Sequence, residues 1–196
     1  MTAAISPPSQ PLKARLARLV PARRTYVKLL HGLMIPGVFW FMIATPSFVR
    51  SVFGPPGVMI NSVIALVFVS LVLIWWLDYM IRGPAGRPGP KLSPRLKTFH
   101  RILHRTLIWG LFLVPVGGFL LGLTASRLLK AGGVLPIAPP LHMPHLNEII
   151  GTLHIIEFYT LGGIVVIHAG FHIWRHVKLR DNALRIMAPK LLHRFL

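Results

Sequence analysis

Four long apolar segments, separated by stretches that carry proline, glycine and charge, set the pattern of this chain. The first covers residues 26–45 and contains Pro36, which kinks a membrane helix rather than ending it, because neighbouring groups re-satisfy the freed backbone. The second covers 57–81 and closes on Trp75, Trp76 and Tyr79, aromatic residues of the kind that gather at lipid headgroups. The third opens amphipathically, with Arg95, Lys97, His100, Arg101, His104 and Arg105, and becomes wholly apolar over 107–123. The fourth covers 145–177. Roughly 20 apolar residues suffice for a helix to cross a bilayer, so each segment predicts one span. Residues 47–56 read as a loop from their Pro and Gly turn signals, 82–94 with the run GPAGRPGP as a linker, and 125–144 as a long connection. At the ends, residues 12–20 form a short amphipathic stretch, and Asp181 is placed to cap a last amphipathic segment over 182–196. The expected fold is all-α: an integral membrane four-helix bundle with amphipathic N- and C-terminal segments. It divides into a basic N-terminal segment (1–25), a four-span unit (26–180) and a tail (181–196).

Composition strengthens this reading. Of 196 residues, 54% are hydrophobic and 13% charged, and the mean hydropathy is +0.64, which excludes an ordinary soluble domain. The absence of cysteine excludes disulfides, iron–sulfur clusters and thiolate metal sites, leaving ten histidines for any cofactor. The net charge of +18 is mostly topology. The stretch through Lys28 holds six Lys and Arg, the connection from Arg82 to Arg105 seven and the tail from Arg175 six, against only Arg50, Arg127 and Lys130 elsewhere. By the positive-inside rule both termini and the middle connection are cytoplasmic. Nucleic acid is not an expected partner, because the basic segments carry no interleaved aromatics. The N-terminus lacks the apolar core of a signal peptide.

Histidines inside the spans carry the candidate chemistry, since an ionisable side chain at membrane depth is costly unless it has a partner. His31 lies early in the first span and His168 late in the fourth. These spans run in opposite directions, so the two rings fall at one depth, as bis-imidazole ligation of a haem iron requires. His154 precedes His168 by 14 residues, roughly 21 Å and close to four turns, on the same face of one helix. The bland alternative for each is a core histidine bonded to a carbonyl.

The segments RTYVKLLHGL, FHRILHRTLIWGLFLVPVGG and TLHIIEFYTLGGIVVIHAGFHIWRH, with KLRDNALRIMAP after them, resemble the bacterial cytochrome b561 family. That family shares its four-helix fold with the haem-b membrane subunits of hydrogenases and formate dehydrogenases. The resemblance spans about residues 24–192. It implies a bacterial inner-membrane protein that exchanges electrons with quinone, ubiquinone included. His31 and His168 would bind a cytoplasmic-side haem b, and His154 would supply one ligand to a periplasmic-side haem. One branch of the family oxidises superoxide and reduces ubiquinone. The chain departs from the pattern in its second span, which has no histidine; the expected ligand position falls near Asn61 in GVMINSVIAL. The outer haem is therefore absent, bound by His154 alone, or completed by a substitute, for which Met59, Met143, His142 and His145 are candidates by type and side.

Near the cytoplasmic surface, His104 with Arg101 and Arg105 is expected to line the haem pocket, the arginines facing the propionates. His100 and His104 form an HxxxH pair, but Arg101 follows His100 where a zinc protease needs an acid. His172 and His176 extend the histidine ladder of the fourth span and are candidates for proton delivery to quinone. Gly32, Gly117, Gly118, Gly162, Gly163 and Gly170 serve either haem approach or helix packing. Asp78 is expected to pair with Arg82, and Glu157 to relay protons or bond to a neighbouring helix. Expected partners are the lipid bilayer, quinone and a periplasmic or membrane redox complex. The competing functions are a haem-poor anchoring subunit of a respiratory or photosynthetic complex and a proton-coupled transporter or sensor.

Overall fold

The computed structural model describes residues 22–86, 88–188 and 193–194. The elements in chain order are α1 (Arg23–Ile43), α2 (Pro46–Arg82), α3 (Pro94–Thr124), β1 (Lys130–Ala131), β2 (Leu135–Pro136), α4 (Pro144–Trp174) and α5 (Ala183–Met187). A single π-helical turn, Arg175–Leu179, extends α4. Helices α1 to α4 are each long and apolar enough to cross a membrane, so the chain is a multi-pass membrane protein in a lipid environment. The expected four-helix, all-α architecture is present. The amphipathic stretch at 12–20 lies outside the described residues, as do 189–192 and 195–196 of the tail.

Local chemistry sets the helix starts. Proline occupies the first turn of α2, α3 and α4, where its missing N–H has no helical partner to lose. The Thr45 and Ser93 hydroxyls accept from the N–H groups of Phe48 (3.2 Å) and Leu96 (3.4 Å). The reading of 47–56 as a loop is corrected. The chain is helical from Pro46 and turns at Gly54, whose φ of 67° is a left-handed value suited to glycine. Pro55 and Pro56 then open the membrane-crossing part of α2, and 55–82 spans roughly 42 Å. The same Pro and Gly signals that mark a loop in water here mark a kink between two helical pieces. In the connection between α3 and α4, β1 and β2 pair antiparallel as a small hairpin.

All four long helices contribute to the core, which is built from Met34, Phe68, Val72, Leu111, Val114 and Leu161. The most extensive contact is between α3 and α4. Outward faces carry Leu29, Phe39, Ile60, Val67, Ile155 and Val166, apolar surface that lipid covers. Trp75 and Trp76 depart from a simple interfacial belt. Trp76 stacks on Phe112 at 4.0 Å and meets Trp109 edge-on, while Trp75 meets His31 edge-on. Large rings at a helix contact bury more area by packing on α1 and α3 than by facing headgroups.

Ion pairs at Asp78 and Asp181 fasten the basic end. Asp78 pairs with Arg82 at 3.6 Å, as expected, and more closely with Arg23 of α1 at 2.8 Å, and also accepts from the Tyr26 hydroxyl. Asp181 holds Arg175 at 2.6 Å, with both side chains at most 2% exposed, and accepts from the Ala183 N–H at 3.1 Å in the turn before α5; the N-cap position itself is taken by Asn182, one residue later than expected. Lys91 of the α2–α3 linker donates to the carbonyls of Leu179 and Arg180, so the linker is tied to the end of α4.

Candidate functional site

Five imidazoles from three helices meet near the basic end of the bundle. His31 stands eight residues, roughly 12 Å, from the start of α1, and His168 six residues, roughly 9 Å, from the end of antiparallel α4. Their ring centroids are 6.4 Å apart and tilted by 56°. His100 and His104 share a face of α3, as do His168 and His172 of α4, because residues four apart lie one above the other on a helix. The His100 and His104 rings are 4.0 Å apart, and His168 lies 4.8 Å from His104 and 4.5 Å from His172. The Nε2 atoms of His104 and His172 approach to 3.2 Å, a hydrogen bond in which the tautomers decide the donor.

Aromatic side chains wall the cluster. Trp75 stands 5.9 Å from His31, and Phe171 stands 6.2 Å from His100. His100 is 3% exposed. The Nδ1 atoms of His100, His168 and His176 are buried without a hydrogen-bond partner in the described structure. Each such nitrogen costs about 1–3 kcal/mol, which coordination or a water removes.

The sequence-derived candidates separate clearly. His31, His168 and His104 come together. Arg101 and Arg105 are exposed on α3, and Arg101 donates to Thr98 Oγ1 of its own helix at 3.2 Å. His154 is on α4 but far up the helix, with Nδ1 3.2 Å from Glu157 Oε2, so Glu157 bonds within its own helix. Gly117 of α3 faces that ring so closely that a Cβ there would collide with it. Asn61 is engaged elsewhere: its Oδ1 accepts from the Trp40 indole at 2.7 Å, and its Nδ2 donates to the Ala44 carbonyl at 3.3 Å. Met59 packs against Gly133 of the hairpin, and Met143, His142 and His145 are exposed. Among the glycines, Gly117 and Gly162 mark close helix approaches, to His154 and Met42, while a Cβ at Gly32, Gly118, Gly163 or Gly170 would meet open space.

The donor chemistry of the inner group suits a haem iron: two imidazoles from opposed helices, one with a buried unpartnered nitrogen. The outer position does not fit a bis-imidazole haem. His154 is committed to Glu157, and the residue at the expected partner position is bonded to α1. The sequence pattern brings His31, His104 and His168 to one end and sets His172 in the same region, but does not join His100 to them. The repeated i, i+4 spacing was the available signal, and it becomes a cluster only through the close packing of α3 on α4.

The fold and site together define a four-span membrane protein with an intramembrane histidine cluster. No protein-family model, curated protein or solved structure matches the chain.

Proposed function

We propose that the chain is a membrane-embedded haem-b electron-transfer cytochrome that exchanges electrons with the quinone pool, resembling the cytochrome b561 family and carrying one haem rather than two. His31 and His168 hold that haem on the cytoplasmic side of a bacterial inner membrane, with both termini on the same side. The single observation that carries this reading is the approach of these two rings to 6.4 Å from helices at opposite ends of the chain. A bound haem supplies a one-electron iron couple. The chain's own contribution is to fix two neutral imidazoles, to exclude water with Trp75 and the core above it, to join the ends of α1 and α2 by the Arg23–Asp78 ion pair, and to fix the α4 terminus by the Arg175–Asp181 pair. A superoxide-oxidising activity at the outer face is disfavoured, because the outer position has no matched ligand pair and electrons entering there have no second haem to cross on.

The contact between His104 and His172 favours a second reading, a haem-poor anchoring subunit of a larger redox complex, in which the histidines satisfy one another. One measurement separates the two. Protein expressed with ample haem supply and purified in mild detergent is expected to give about one haem b per chain by pyridine haemochrome, with a low-spin reduced-minus-oxidised spectrum. No haem overturns the cytochrome reading and favours the anchoring or transport readings. Two haems per chain overturn the single-haem assignment.

A further inference from the structure

We propose that His100, His104 and His172 form a binding site for one divalent transition-metal ion, best suited to zinc, separate from the haem proposed at His31 and His168. One coordinating nitrogen from each residue lies within 4.8 Å of the other two. Tetrahedral zinc with Zn–N bonds of 2.0–2.1 Å needs nitrogens about 3.3 Å apart. The His104 and His172 Nε2 atoms already stand at 3.2 Å. Only His100 must close in, from a nitrogen already within 4.8 Å of the other two.

Three further observations support an ion here rather than a self-contained hydrogen-bond network. His100 is 3% exposed, yet its Nδ1 has no partner, whereas a satisfied core histidine bonds through both nitrogens. Two neutral imidazoles facing each other through Nε2 share a single hydrogen bond, and a metal uses both lone pairs at once. Arg175, which lies over the Phe171 ring at 5.8 Å, is paired with Asp181 at 2.6 Å, which offsets much of its charge beside the site.

The ligand set determines the metal class. Imidazoles without thiolate or carboxylate suit zinc, copper and nickel and discriminate against magnesium and calcium. Three protein ligands leave the fourth tetrahedral position for water or a small anion. The HxxxH pair on α3 thus acquires its third ligand from α4, not from its own helix, and carries no protease-type acid. Metal binding here would lock α3 to α4 at the basic end, beside His168.

The test uses the full chain, purified in detergent without a polyhistidine tag, and measures zinc per chain by equilibrium dialysis at buffered free zinc. Wild type is expected to hold one zinc, and H104Q and H172Q each to bind at least about tenfold more weakly, since even loss of an outer-shell partner costs that much. H145Q, altered at the far end of α4, should match wild type. His100 is too buried for its variant to be decisive, so H104Q and H172Q carry the result, and circular dichroism verifies that each retains its helix content. If either unfolds, the zinc-dependent rise in the wild-type melting temperature is read against the other. Absence of zinc from wild type, or equal zinc in wild type and the H104Q/H172Q double variant, overturns the proposal. Haem is assayed on the same samples. One haem without zinc removes the metal site alone, and zinc without haem removes the cytochrome reading alone.

Discussion

His31 and His168 each present one imidazole to the inner site, and an iron that loses either axial ligand changes spin state or dissociates. Replacement of either by alanine should therefore abolish the low-spin spectrum, whereas His154→Ala should preserve most of it, because His154 is paired with Glu157 and faces Gly117. Equal losses in all three variants, read by reduced-minus-oxidised spectroscopy, would contradict a single inner haem. Asn61 supplies a complementary prediction. Its amide bonds Trp40 and the Ala44 carbonyl, so the position is directed at α1. Asn61→His should leave haem content at the wild-type level while destabilising the protein by about 1–3 kcal/mol, the cost of an indole N–H stranded in lipid. A second haem appearing in that variant by haemochrome assay would show that the outer site lacks only its ligand. At this scale the histidines were legible because ionisable residues are so rare in apolar spans. The commitment of Asn61 to α1 was not legible, since an amide's partner depends on which neighbour lies within 3 Å, and periodicity carries no such information.

Helix placement followed from hydropathy alone, because a bilayer requires long apolar helices whatever their tertiary contacts. Element junctions obeyed a different chemistry. Residues 47–56 carry the composition of a loop but fold as helix, kink and helix, since Pro46, Pro55 and Pro56 all occupy helix starts, where proline is tolerated. The junction after α4 likewise depends on pairing invisible in the sequence pattern. Arg175 and Asp181 are six residues apart, beyond ordinary helical pairing, and meet because the π-turn and the left-handed Arg180 fold the chain back. Gly89 of the linker lies so close that a Cβ would collide with both groups. Asp181→Ala leaves a buried guanidinium uncompensated and should cost about 3–5 kcal/mol, whereas replacing both residues with apolar ones of similar volume should cost far less. Thermal denaturation in detergent checks this; similar losses in the single and double variants would mean that the pair is not what holds the α4 terminus.

Across the whole molecule, nineteen of the 22 Lys and Arg residues fall on one side of the four spans, and the histidine cluster lies toward that same side. Orientation follows from the cost of carrying cations across the membrane, so the linker between α2 and α3 should be cytoplasmic and the β1–β2 hairpin external. The chain contains no cysteine, so a single introduced thiol reports its own location without background. Ala85, exposed on the linker, and Val134, 73% exposed at the hairpin, are suitable positions. In intact spheroplasts a membrane-impermeant maleimide should label Val134→Cys at once and Ala85→Cys only after the membrane is opened. The reverse pattern would place His31 and His168 at the outer leaflet and overturn the cytoplasmic-side assignment of the proposed haem. Labelling of both without permeabilisation would contradict the single crossing by α3 between the linker and the hairpin. The charge asymmetry and the side on which the histidine cluster lies are thus linked through one physical constraint, the direction in which α1 enters the bilayer.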